Sequence, residues 1–250
     1  MMVRMSDPIV LICPAMAVPG AFYRPLVAGF AERGWEAEAL PRRGFVKGEP
    51  VASRTNDWSY ADETADVARA VERVRSERPD RPVVLLGHSL GGHLAVANQL
   101  TGTPADGVVL VGAGAPWFRL YPHGGAHILL LNALVRASNA TRGFVAPPLF
   151  GAPGARTIMA EWSRFSMRGT PPWGPGRVSQ PTLAVHLQSD HYAVSAATKW
   201  FGERFVDPDA MERWVYAQHA APEGGTTDHL HWVRTPAPVV ERVLTWWKDQ

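Results

Sequence analysis

The segment 83–92, Val-Val-Leu-Leu-Gly-His-Ser-Leu-Gly-Gly, constrains this chain more than any other. An unbroken apolar run passes through a Gly-x-Ser-x-Gly turn straight into a helical pattern. The run fits a fully buried strand of a parallel sheet. Reversing from strand to helix in so few residues puts the serine between them in a strained backbone conformation. Side chains two positions either side of that serine would collide with neighbouring backbone, and Gly87 and Gly91 remove them. The turn lifts the Ser89 hydroxyl at the carboxyl end of the sheet and at a helix N-terminus. There, backbone N–H groups and the helix dipole favour developing negative charge.

The rest of the chain supplies a sheet for this turn. Apolar strands are expected at 8–13, 35–40, 83–86 and 108–111, with helices at 22–33, 60–78 and 90–100 between them. In the 60–78 helix, Ala61, Ala65, Ala68, Val71 and Val74 fall on one face. Strand alternating with helix predicts right-handed βαβ units and a parallel sheet covered on both faces. The rhythm stops after Gly112. Residues 115–179 hold an apolar helical stretch at 127–137, a Gly/Pro-rich loop, a Trp/Arg/Met segment at 158–168 and a Pro-Pro-Trp-Gly-Pro close. It resumes with a strand at 182–187, a helix at 195–204, a strand at 214–218 and a last helix at 239–247. The expected organisation is α/β, with about six strands: a core of residues 1–114 and 180–250, and a helical cap of residues 115–179 over one end of the sheet.

Composition narrows the partners. Lys+Arg is 25 against Asp+Glu 23, a net charge of +2 without a basic block, so neither nucleic acid nor an anionic membrane surface is called for. The one cysteine, Cys13, excludes an intrachain disulfide and a cysteine-rich metal site, and reads as a small buried strand residue. The apolar run at 9–18 is too short to span a bilayer and contains Pro14. Asp7 and Pro8 before it argue against a signal peptide, which makes a cytoplasmic protein the expectation.

With the 83–92 segment in place, the chain resembles the α/β-hydrolase superfamily from about residue 8 to its end. It also looks like a poorly characterised branch of predicted α/β hydrolases. Ala15-Met16 matches the branch's small-residue loop, Phe22-Tyr23 its helix start, Arg43-Gly44 its Arg-Gly after the next strand, and the segment 228–234 its terminal histidine segment. Such a sheet often opens with an antiparallel hairpin, for which Met1 to Asp7 are too few residues.

The resemblance implies a triad in the order serine, acid, histidine. Ser89 is then the nucleophile. The acid is expected after the first strand beyond the cap, which points to Asp190; Asp207 and Asp209 lie beyond the next helix. Three histidines follow the last strand: His219, His229 and His231. His229 matches the family's histidine, although Asp228 stands where the pattern has glycine, and His231 remains the alternative. The oxyanion would be met by the backbone N–H of Leu90 and by that of Met16, since Pro14 cannot donate.

The implied activity is cleavage of an ester or thioester through an acyl-enzyme on Ser89, on a small-molecule acyl substrate and without cofactor or metal. Acyl transfer, C–C or lactone cleavage, and a non-hydrolytic binding role share the same residues. Trp117, Trp162, Trp173 and His231 are candidates to line the substrate pocket, with ordinary packing as the alternative for the tryptophans. His88 and His93 flank the nucleophile and are expected to pack or hydrogen-bond, and Trp246-Trp247 to pack the last helix.

Overall fold

The structure is a computed structural model that describes residues 7–147 and 149–250. The expectation about a missing N-terminal hairpin falls almost wholly outside the described residues. Six strands form one parallel sheet: β1 (Ile9–Cys13), β2 (Glu36–Ala39), β3 (Val83–His88), β4 (Gly107–Val111), β5 (Thr182–Leu187) and β6 (Met211–Tyr216). Their order is β2-β1-β3-β4-β5-β6. The helices are α1 (Arg24–Ala31), α2 (Tyr60–Glu77), α3 (Leu90–Thr101), α4 (Ala126–Arg142), α5 (Arg156–Arg168), α6 (Ser195–Phe205) and α7 (Ala237–Lys248). Among the described residues, no helix is long and apolar enough to cross a membrane.

Every residue of β1, β3 and β4 is buried, which is why their sequences are continuous apolar runs. Successive side chains alternate between two cores. Leu11, Leu85 and Leu110 pack with Val71 of α2, Leu94 of α3 and Phe201 of α6. Ile12, Leu86 and Val109 pack with Phe30 of α1 and with Val243, Trp246 and Trp247 of α7. Full burial of each such side chain is worth about 1.5–3 kcal/mol. The tryptophan pair does pack the last helix.

Three features differ from the sequence pattern. The strand expected at 214–218 begins at Met211 instead. As an edge strand it leaves Glu212, Arg213 and Val215 exposed, so no apolar run announces it. The buried stripe of α2 is Tyr60, Glu63, Thr64, Val67, Val71 and Val74, rotated away from Ala61, Ala65 and Ala68. The larger side chains and one buried ion pair set that face. The helix starts at a capping box: Ser59 Oγ accepts from Asp62 N at 3.2 Å, and Asp62 Oδ2 accepts from Ser59 N at 2.8 Å. Finally, 158–168 lies in a full helix, α5, whose Ile158, Met159, Trp162 and Phe165 bury one face.

The stretch between β4 and β5 carries α4 and α5, held together by Asn132, whose Nδ2 donates to Ser163 O at 2.9 Å and to Ser166 Oγ at 2.6 Å. The first turn of α5 is capped from elsewhere in the chain. Asp57 accepts from Thr157 N at 2.8 Å and Thr157 Oγ1 at 2.6 Å. These bonds fix α5 against the loop that precedes α2.

The strand order sets where a site can form. From β1 the chain moves outward to β2, then returns across β1 to place β3 on the other side. The carboxyl ends of β1 and β3 therefore border a crevice at the point where the winding reverses, the usual position for ligands in open α/β sheets. Cys13 of β1 is in register with Gly87 of β3, so the loop after β1 and the turn holding Ser89 leave the sheet side by side.

Candidate active site

Ser89 adopts φ 54° and ψ −118°, a conformation that a non-glycine residue keeps only when its surroundings enforce it. The glycines around it have measurable reasons. A Cβ on Gly87 would lie 2.4 Å from Gly92 Cα, and one on Gly91 would lie 1.9 Å from Cys13 O. Gly92 is closed in as well, since its Cβ would meet Ala113 Cβ at 2.4 Å. A serine preceding a helix normally caps it, but Ser89 makes no side-chain cap bond, which leaves Oγ for another partner.

That partner is His229, whose Nε2 lies 2.9 Å from Ser89 Oγ. Its Nδ1 lies 2.7 Å from Asp190 Oδ2. An ionised carboxylate only accepts, so Nδ1 carries the proton and Nε2 accepts from the serine hydroxyl. Burial of the Asp190 carboxylate pushes its pKa up. The bond from His229 and the N–H groups of Ala193 and Tyr192, each 2.8 Å from Oδ1, outweigh it and hold the pKa below the usual value. Asp190 is therefore charged at neutral pH. Such a line can withdraw the hydroxyl proton as Oγ attacks an electrophile and can stabilise the imidazolium that results.

The structure brings Ser89, Asp190 and His229 together and leaves the rival histidines apart. His219 is exposed on the turn after β6. His231 turns to Asp228, with Nδ1 3.1 Å from both carboxylate oxygens. Asp228, the departure from the family's glycine, has its own structural task. Its Oδ1 accepts from Leu230 N at 2.9 Å and His231 N at 2.8 Å, which freezes the turn just past His229. Some desolvation aside, these N–H bonds hold the Asp228 carboxyl down at about 2. A second brace joins the acid and histidine loops: the buried Thr227 Oγ1 accepts from Ser189 N at 3.2 Å and donates to Gln218 Oε1 at 3.0 Å.

Two N–H groups stand ready on the other side of Ser89. Leu90 opens α3, so its N–H has no partner within the helix. Met16 sits in a turn closed by Val18 N to Ala15 O at 3.2 Å, with Ala17 at φ 57°. Among the described residues, neither N–H is given to a protein acceptor. Beneath this loop Arg42 Nη1 donates to Pro14 O at 3.1 Å, while Nη2 straddles the buried Glu63 carboxylate at 3.2 and 2.9 Å. Trp58 Nε1 donates to the same carboxylate at 2.8 Å.

Met16 and Leu90 line a narrow open cleft whose enclosed space is only about 30 Å³. Its walls are mostly apolar: Phe45 and Trp58 from the β2–α2 connection, and Phe150, Ile158 and Met159 from the segment between β4 and β5. Trp117, Trp162 and Trp173 are not among its lining residues. Trp162 packs edge-on against Phe150 behind the wall, and Trp173 joins the cluster of Tyr60, His93, Phe165, Phe201 and Phe205. Trp117 lies against Gly169 and Trp200. Cys13 is buried, and burial pushes its thiol up to about 12, so it offers no thiolate.

Sequence reasoning missed three neighbours of the triad. Tyr192, 73 % exposed, lays its ring 5.2 Å from that of His229 at the site's rim. Gly112, at φ 54°, passes so close that a Cβ there would stand 3.0 Å from Asp190 Oδ2. Tyr23, named in sequence only as part of a helix start, bonds to His88 beneath the site. Nothing in a single sequence marks Gly112, whereas His88, directly before Ser89, could have prompted a search for a buried partner.

The profile of the family described as serine aminopeptidase, S33, matches residues 5–149. A putative monoglyceride lipase of Schizosaccharomyces pombe is 31 % identical over 118 residues, 46 % of this chain and 30 % of that protein. This chain thus matches less than a third of that relative's length. An esterase from Exiguobacterium antarcticum superimposes with a TM-score of 0.68 at 16 % identity, covering 98 % of this chain and 93 % of that one. A monoacylglycerol lipase from Paleococcus ferrophilus gives 0.63 at 13 % identity, over 99 % and 97 % of the two chains. The six-stranded parallel sheet, the strained serine after β3 and the match over 5–149 agree, and the chain belongs to the α/β-hydrolase superfamily, within the family described as serine aminopeptidase, S33.

Proposed function

We propose that this chain hydrolyses carboxylic esters through an acyl-enzyme on Ser89. The observation that carries the reading is the unbroken line from Ser89 Oγ through His229 to Asp190, with bonds of 2.9 and 2.7 Å. Ser89 Oγ attacks the acyl carbon while His229 Nε2 takes its proton, and Asp190 stabilises the imidazolium. The oxyanion is met by the N–H groups of Leu90 and Met16. Collapse expels the alcohol, which leaves with the proton from His229. Water then attacks the acyl-enzyme, again giving a proton to His229, and the acid departs as that proton returns to Ser89.

The cleft supports an apolar acyl group of modest length, since it is narrow and walled by Phe45, Trp58, Phe150, Ile158 and Met159. Among the described residues of its lining the single carboxylate, Glu63, is already paired with Arg42, which leaves no free carboxylate there for the ammonium of a peptide N-terminus. The similarity to an esterase and two lipases supports the same reading. The test is turnover of p-nitrophenyl esters from acetate to laurate by wild type and Ser89→Ala. Turnover is expected to be highest for short chains and to vanish in the variant. Hydrolysis of an aminoacyl-amide in preference to all these esters would overturn the reading.

A further inference from the structure

The loop after β1 and the loop carrying His229 flank Ser89 from opposite sides, and a buried line of hydrogen bonds joins them. Ala15 N donates to Tyr23 Oη at 2.8 Å. Tyr23 Oη lies 2.7 Å from His88 Nδ1, and His88 Nε2 lies 2.7 Å from the carbonyl oxygen of His229. Tyr23 and His88 are both 0 % exposed.

One arrangement of protons satisfies every atom in this line. An N–H only donates, so Tyr23 Oη accepts from Ala15 and passes its own proton to His88 Nδ1. A carbonyl only accepts, so His88 carries its proton on Nε2. The ring is thus a neutral imidazole in a single tautomer, and burial agrees, pushing His88 down to about 3. A second proton on Nδ1 would leave the tyrosine hydroxyl proton without an acceptor. Tyr23 and Trp232 meet the ring edge-on at 5.8 and 5.4 Å and keep it from turning. With Nε2 protonated, the Trp232 Nε1 contact at 3.4 Å is packing and not a hydrogen bond.

We propose that Tyr23 and His88 are positioning residues for the reaction at Ser89. Together they act as a strut that fixes the oxyanion loop against the backbone of His229. The inference rests on the ester-hydrolase reading above. His88 directly precedes Ser89 on β3, so the strut refers both loops to the strand that carries the nucleophile. Breaking it at any point frees the two loops to drift apart by a few tenths of an ångström. That affects the transition state, which needs both N–H donors and base, more than it affects binding of the ground state.

The experiment compares wild type, Tyr23→Phe, His88→Gln and the double variant on p-nitrophenyl acetate and butyrate, with the rate of phosphonylation by a fluorophosphonate alongside. Tyr23→Phe removes one oxygen and keeps the ring packing. It is expected to lower kcat about 10- to 100-fold, with KM within about twofold and the same loss on both esters. Phosphonylation should slow in proportion. The double variant should lose no more than the worse single one, because a strut broken twice is still one broken strut. Melting curves show that each variant is folded at the assay temperature. Tyr23→Phe with kcat within twofold of wild type, or single losses that multiply in the double variant, would overturn the strut alone. Folded wild type that neither turns over esters nor reacts with the phosphonate would overturn the hydrolase reading and the strut with it.

Discussion

Gly112→Ala tests how tightly the acid–base pair is packed. Gly112 follows β4 with φ 54°, in the left-handed region, and its N–H donates to Val185 O at 3.0 Å. An alanine there meets two penalties. The backbone conformation costs about 1–2 kcal/mol for a residue with a Cβ. The new methyl would also stand 3.0 Å from Asp190 Oδ2 and 3.4 Å from His229 Nδ1. The carboxylate must yield by a few tenths of an ångström, yet its other oxygen is pinned by two N–H groups. A misplacement of about 1 Å costs about 100-fold in rate, so this smaller shift is expected to lower kcat about 10-fold. Gly34→Ala separates the two penalties, because Gly34 has φ 81° with nothing within 4 Å of its would-be Cβ. It should destabilise by the same ~1–2 kcal/mol, a few degrees in Tm for a chain of this size, and leave kcat unchanged. The assay is kcat and KM on p-nitrophenyl butyrate beside thermal melts of all three proteins. Equal kcat for the two variants would refute the argument that Gly112 makes room for the Asp190–His229 bond.

Three further outcomes follow from other parts of the molecule. His88 and His93 are buried as neutral rings, with burial pushing them down to about 3 and about 4. The unfolded chain protonates them near 6.5, so it binds more protons than the native state below that pH, and stability falls as pH drops from about 6.5 toward those values. The loss at pH 5 is about 2 kcal/mol per ring, read by urea melts at pH 7.5 and 5; a flat profile, or one that His93→Gln does not shallow, contradicts it. Glu63→Gln leaves Arg42 as an uncompensated buried charge and should destabilise by about 3–5 kcal/mol in the same melts, whereas a loss under 1 kcal/mol would mean the pair is solvated. Asp228→Ala should lower kcat several-fold with little change in KM, while Asp228→Asn, which keeps an acceptor for Leu230 N and His231 N, stays near wild type; equal loss in both would show that charge and not the turn matters.

How far the sequence was readable depended on how local the physics was. The turn around Ser89 is a local steric problem, and its solution is written in Gly87, Gly91 and Gly92. The buried strands β1, β3 and β4 are legible because both faces are covered, whereas β6, an edge strand with mixed residues, is read from Trp214 to Tyr216 and its start at Met211 is missed. Asp190 follows once the resemblance to the superfamily puts the acid after the first strand beyond residues 115–179. The pattern favours His229 but leaves His231 open, since what separates them is the way Asp228 captures the His231 ring and the turn's N–H groups. The wall of the cleft was the least readable part. It depends on how α5 docks against the loop before α2, through Asp57, Thr157 and Ile158, which are contacts between residues about 100 positions apart. Of the tryptophans proposed for the pocket, Trp162 is buried against Phe150 behind the wall, while Trp117 and Trp173 are only partly buried and pack elsewhere.

The most direct test of the account is the site of covalent modification by a fluorophosphonate, mapped by mass spectrometry on the folded protein. One adduct is expected, on Ser89, absent in Ser89→Ala and slowed by at least about 1,000-fold in His229→Ala. No adduct on folded wild type, or an adduct on a different residue, would contradict the claim that Ser89 is the nucleophile and His229 its base.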